Sequence, residues 1–226
     1  MVLIGIIIFA IIQFGINGVR SKSLMQQAQQ NGFGYQRRVQ ARDFLRSHSN
    51  YHLYQKGHRR TVSNVMERHL GEALIQVFDY SYVVTHSTDS SNFGDSTVSQ
   101  DRDTHYTQTI CRVEDSELWL PEFRLRPEGF LESVFGSLWV RDIDFPSHRD
   151  FSNKYHLSGP DEGHIRQFFT HEVLSFLEAN PGWYIEATRR EFIVCAKSRK
   201  IGTQNIEGFI ELGIQLRQHF LEAARA

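Results

Sequence analysis

The first nineteen residues, MVLIGIIIFAIIQFGINGV, carry no charge, and Gln13 and Asn17 are their only polar side chains. As a helix rising ~1.5 Å per residue the run reaches roughly 28 Å, about the hydrocarbon thickness of a bilayer. A secretory leader would bring a positive n-region and a small-residue cleavage site, and neither is present. A buried helix of a globular protein keeps one polar face, whereas Ile4, Ile6, Ile7, Ile8, Ile11 and Ile12 cover every face. Residues 1–19 are therefore predicted to be a single transmembrane helix, short enough to stand nearly upright.

Charge then sets orientation. Residues 20–60 hold nine of the 25 basic residues and, in Asp43, one of the 26 acidic ones. The positive-inside rule puts this collar and the body after it in the cytoplasm, with the N-terminus outside. Basic residues beside a span attract anionic headgroups, at about 1 kcal/mol per close Lys or Arg. Arg20, Lys22, Arg37 and Arg38 are the candidate headgroup contacts. Within the span, Gln13 gains by bonding to another helix, and Gly15 permits close approach, so these two are the candidate contacts to a membrane partner. Composition from 20 to 60 reads as a basic juxtamembrane connector with one helix around Gln36–Ser47. Residues 61–226 read as the folded domain.

Within that domain, Leu70–Val84 is rich in β-branched and aromatic residues and reads as a strand. His86–Asp103 is a long polar loop, Thr104–Val113 a second strand and Leu118–Leu125 a third. Pro121 cannot donate to a ladder, which makes the third strand an edge or a bulge. Tyr155–Leu157 is a short strand. A helix then starts within Ser158–Glu162, shows Ile165, Phe168, Phe169, Val173, Phe176 and Leu177 at helical spacing, and stops at Asn180-Pro181-Gly182. Trp183–Ala187 and Phe192–Ala196 form a hairpin. A last helix carries the stripe Ile206, Phe209, Ile210, Gly213, Ile214, Phe220 and Leu221. The expected fold is α+β: an antiparallel sheet with helices on one face, ending in a βαββα order. Cys111 and Cys195, both in strand-like runs, read as unpaired core thiols.

The segments FDYSY (Phe78–Tyr82), YTQT (Tyr106–Thr109), LPEFRLRPE (Leu120–Glu128), DIDFPSH (Asp142–His148) and FSNKYHLSGPDEGHIRQFF (Phe151–Phe169) occur in that order. Over roughly residues 60–225 the chain resembles a group of uncharacterised bacterial proteins, cyanobacterial ones among them, that join membrane helices to a cytosolic domain. The resemblance implies an inner, plasma or thylakoid membrane, and no activity, cofactor or catalytic residue. This chain departs from the group in a longer, more polar loop after Tyr82.

Chemistry must be sought residue by residue. Asp142, Asp144 and His148 could together hold a divalent cation or pair as acid and base. Neighbouring Arg141 and Arg149 favour ion pairs and turn caps instead. Eleven histidines show no H-E-x-x-H spacing and no C-x-x-C accompanies them. Neither G-x-S-x-G nor a phosphate-binding P-loop occurs. Arg124 and Arg126 alternate onto one side of a strand and read as a solvated face. Asp79, between Phe78 and Tyr80, needs a partner across the sheet, with Arg112 or Arg124 the candidates.

The sequence therefore points to a non-enzymatic membrane protein without cofactor or catalytic residues. Its expected partners are membrane lipid and a protein within a membrane complex that it docks on or helps assemble. Nucleic acid is not expected, for no recognition motif surrounds Arg37 and Arg38. The alternative is a small-molecule or lipid-binding domain, or an unrecognised enzyme. Its pocket would lie between sheet and helices, lined by Phe168, Phe169, Phe209 and Tyr80.

Overall fold

In the computed structural model, residues 18–46, 51–88, 100–128 and 141–225 are described. The chain opens with helix α1 over residues 18–30. It continues through β1 (Gly34–Val39), α2 (Ala41–Arg46), α3 (His52–Gln55), β2 (His58–Leu70), β3 (Ala73–Thr88), β4 (Gln100–Glu114) and β5 (Leu120–Pro127). Then come α4 (Arg149–Lys154), β6 (Tyr155–Ser158), α5 (Glu162–Phe168), α6 (His171–Ala179), β7 (Trp183–Arg189), β8 (Glu191–Ala196) and α7 (Ile206–Arg225). The eight strands make one sheet in the order β1-β2-β3-β4-β8-β7-β5-β6. Every pairing is antiparallel.

The α+β class and the antiparallel sheet are as expected, and several details differ. The described residues of 20–60 are built into the sheet domain as the rest of α1, as β1, α2 and α3 and as the start of β2, rather than standing off as a connector. Only α2 answers to the helix expected at 36–47, because Gln36–Val39 pairs with β2. The helix expected over 158–179 is two helices. Asp161 caps α5 by accepting the His164 amide at 3.0 Å, and the chain leaves helix at Phe169 before Thr170 opens α6. Lastly, helices cover both faces of the sheet. Adjacent residues in β3, β4 and β8 are apolar on both sides (Val77 and Phe78, Ile110 and Cys111, Ile193 and Val194), so each face must be buried.

One face packs under α1, α5, α6 and α7. Its centre is phenylalanine: Phe220 of α7 lies 5.1 Å from Phe192, 5.3 Å from Phe168 and 6.0 Å from Phe123, ring centre to ring centre. Gly213 lets α7 approach β4, for a Cβ there would stand 2.6 Å from Cys111 Sγ. Cys111 and Cys195 are free and buried, as expected, and burial pushes the Cys111 thiol up to about 12. The opposite face packs under α2 and α3 with Leu45, Tyr54, Phe78, Tyr80 and Tyr184. Pro121 sits where the β5–β7 register shifts, so a bulge rather than a sheet edge accommodates it. The long hairpin arms carry β3 and β4 into the stretch read as loop, out to Thr88 opposite Gln100.

The predicted span lies almost wholly in residues 1–17, outside the described residues, and with it Gln13 and Gly15. Among the described residues no helix is long and apolar enough to cross a membrane.

Candidate functional site

Along β3 one face of the strand changes character. Ile75 and Val77 belong to the apolar core, but Asp79 and Ser81 continue the same face as polar residues. Asp79 is 3% exposed, and a carboxylate buried so deeply needs partners. They come from four directions. Arg20 of α1 grips it with two hydrogen bonds, Nε to Oδ2 at 2.7 Å and Nη2 to Oδ1 at 2.8 Å. Thr109 of β4 donates to Oδ1 at 2.8 Å, and Asn64 of β2 donates to Oδ2 at 2.8 Å. Lys200 Nζ, from the loop after β8, stands 3.9 Å away. Burial alone would raise the Asp79 carboxyl. The hydrogen bond and charge of Arg20, with Lys200 and Asn64, outweigh it and hold the group below its ordinary 3.8.

This network fixes α1. Arg20 also donates to the Ile201 carbonyl at 2.7 Å. Ser21 Oγ and the Tyr35 hydroxyl both donate to Asn64 Oδ1, at 2.7 and 2.8 Å. Asn64 has φ +54° at a register shift in β2, a left-handed conformation that Asn tolerates better than most residues. Leu24 and Ala28, one turn apart, bury the next stretch of α1 against the sheet.

Above this floor opens a groove of about 700 Å³. Ser21, Ser63, Asn64 and Ser81 give it a polar base, and Arg37, Arg38, Arg60 and Lys200 give it positive walls. A second groove of about 610 Å³ adjoins it, with Ala41 and Arg60 common to both. Its base is Leu45, Tyr54 and Gly57 and its rim is Arg42, Arg46, His58 and Arg59. Among the described residues no Asp or Glu lines either groove. Gly57 is required at φ +56°: a Cβ there would fall 2.2 Å from the Val83 carbonyl oxygen. A third hollow, about 460 Å³, holds Arg199, Lys200 and the stacked pair Trp183–Phe209, 5.3 Å apart. Lys200 belongs to both the first groove and the third.

The candidate headgroup residues thus divide. Arg37 and Arg38 line the first groove, and Lys22 is exposed on α1. Arg20 is not a headgroup contact: its side chain is 12% exposed and committed to Asp79. Asp79 has an arginine partner, but from α1 rather than from Arg112 or Arg124. Arg112 binds Glu191, Glu114 and Gln76. Sequence does not single out Lys200 or Asn64. Lys200 stands 140 residues from Arg60, and no local pattern marks it.

Asp142, Asp144 and His148 do not converge. Asp142 accepts the Leu157 amide at 2.9 Å. His148 turns to Glu178 at 3.2 Å and to His171 at 2.9 Å. Among the described residues no group of three His, Cys, Asp or Glu could hold a metal. The pocket expected between Phe168, Phe169, Phe209 and Tyr80 is not formed. The three Phe are core residues of one face, and Tyr80 belongs to the other. Arg124 and Arg126 are buried, at 4% and 7% exposure, rather than solvated. They share their face with Glu186, which pairs with Arg124 in the sheet register and accepts the His52 and Leu53 amides of α3 at 2.7 and 2.8 Å. That cover over the face is what the strand alternation could not reveal.

No family model matches the chain, and no curated protein does. A solved structure shares the fold: the crystal structure of the mycobacterial trehalose monomycolate transport factor A, TtfA. The alignment covers 92% of this chain and 94% of that chain, with a TM-score of 0.58 and 13% sequence identity. At that identity the likeness establishes a common fold.

Proposed function

We propose that the chain is a non-enzymatic, membrane-held module whose basic face binds anionic lipid. The observation that carries this reading is the first groove. It is walled by four cations with no carboxylate among its described lining residues, and Ser21 of α1 lines it, two residues beyond the chargeless run 1–19. Were that run to cross the bilayer, a groove so near its end would meet the headgroup layer. Cations there are attracted to anionic lipid. The Arg20–Asp79 pair holds α1 against the groove floor, so the approach of the membrane to the groove is set by hydrogen bonds. The structural neighbour is a transport factor for trehalose monomycolate, which supports a lipid as the ligand class.

Docking on a membrane protein complex is the second reading. Gln13 in the apolar run favours it, as does Trp119, which is 61% exposed at the turn before β5. Extraction of the full chain in mild detergent, followed by native mass spectrometry, separates the two. Retained anionic lipid that is lost in an Arg38→Gln/Lys200→Gln variant supports lipid binding. A stoichiometric protein partner without lipid supports docking. Recovery of the intact chain from the aqueous fraction without detergent overturns both.

A further inference from the structure

The two large grooves meet at Ala41 and Arg60, where β1 gives way to α2. We infer that they form one bipartite site for a lipid whose headgroup carries two phosphates, one in each groove. The inference rests on the lipid-binding reading above and names the ligand class.

Each groove has its own cations. Arg37, Arg38 and Lys200 belong to the first, Arg42, Arg46 and Arg59 to the second, and Arg60 to both. The guanidinium of Arg60 is held in place by the carbonyls of Gln55, Lys56 and Gly57 at 2.8, 3.1 and 3.0 Å. Its charge is therefore pinned at the partition. Arg42 and Arg46 lie four residues apart on a six-residue helix, a like-charge spacing that destabilises a helix on its own. Among the described residues Arg37, Arg38, Arg42 and Arg46 have no carboxylate within ion-pair distance. Arg59 is paired with Asp103 at 3.1 Å, but a single phosphate in the first groove would leave Arg42 and Arg46 of the second without counter-charge. Two phosphates serve both, each by the forked hydrogen bonding that guanidinium favours. Arg38 and Arg42 are four residues apart, so their Cα atoms are separated by at most about 14 Å. That is within reach of two phosphates joined by one small polyol. The second groove is also lined by Tyr54. Its apolar base of Ala41, Leu45 and Tyr54 suits the glycerol and first methylenes of a lipid rather than a free anion.

The test uses the full chain in a neutral detergent. It is titrated with short-chain diphosphatidylglycerol, phosphatidylglycerol and phosphatidylcholine at equal phosphate, with binding read by thermophoresis. Diphosphatidylglycerol is expected to bind at least tenfold more tightly than phosphatidylglycerol. Arg42→Gln/Arg46→Gln is expected to abolish that preference while leaving phosphatidylglycerol binding and the melting temperature unchanged. Arg60→Gln is expected to weaken both anionic lipids. Equal affinity for the two anionic lipids in the native chain overturns the bipartite site and leaves the lipid-binding reading standing. Equal affinity for all three lipids overturns that reading too. Displacement of the lipid by glycerol 1,3-bisphosphate at equal concentration overturns the assignment to lipid, as does RNA binding that outcompetes it.

Discussion

Two regions of one sheet face are held together by different physics. Under α5, α6 and α7 the contacts are rings, with Phe123, Phe168, Phe192 and Phe220 in mutual edge and tilted contact. Under α1 the contacts are directional, with Asp79 at the centre of hydrogen bonds from Arg20, Asn64 and Thr109. Strand β3 serves both, through Val77 in the first and Asp79 in the second. Ring packing supplies stability and tolerates small rotations, since it depends on area more than on angle. A carboxylate network fixes position, because a misplaced partner leaves a buried charge exposed to its full desolvation cost. The region that places α1 beside the grooves is the one built from angles.

The sharpest way to break the comparison is to hollow the ring cluster. Phe220→Ala is expected to cost about 3–5 kcal/mol, read as a lowered denaturant midpoint. Arg20→Met should come next, at about 3 kcal/mol, because it strands a buried carboxylate. It should also loosen α1, so that amide exchange over residues 20–30 accelerates while α7 stays protected. Phe220→Ala should speed exchange in α7 instead, and equal loosening of both helices by either variant would show that the regions are not distinct.

Acid sharpens the same contrast. A carboxyl held below 3.8 in the folded state contributes stability that is complete above that pH and lost as pH falls through the folded value. The stability gap between the native chain and Asp79→Asn should therefore shrink below about pH 3.8, whereas the gap to Phe220→Ala should not track this titration. Gly57→Ala is expected to cost more than about 1 kcal/mol, since neither its left-handed backbone nor the Val83 carbonyl admits a methyl. Smallest among these is Tyr35→Phe, at about 1 kcal/mol for one hydrogen bond to Asn64. Both are read from the same denaturant midpoint.

The ring region is legible in the sequence. Helical spacing of Phe209, Ile210, Gly213, Phe220 and Leu221 marks α7, and β-branched runs mark β3, β4, β7 and β8. Strand β1 is not, since GYQRRV is exposed along most of its length and edge pairing leaves no apolar alternation to read. Cross-strand pairs are common in sheets, which directs the search for the partner of Asp79 to neighbouring strands. It comes instead from Arg20, 59 residues away on a helix that composition alone marks as connector. The grooves are half visible. A basic cluster can be counted from sequence, but which arginine turns inward depends on a buried acid elsewhere. Lys200 arrives only through the path of the loop after β8.

One consequence concerns the order in which the chain is made. Strands β7 and β8 fill the middle of the sheet, between β4 and β5, yet belong to residues 183–196 of 226. Until the ribosome has delivered them, β4 and β5 have no common neighbour and the sheet exists as two halves with open edges. Domains that close through such distant pairings fold late and slowly. Helix α1 and strands β1 to β4 are therefore made well before the residues that seal the sheet.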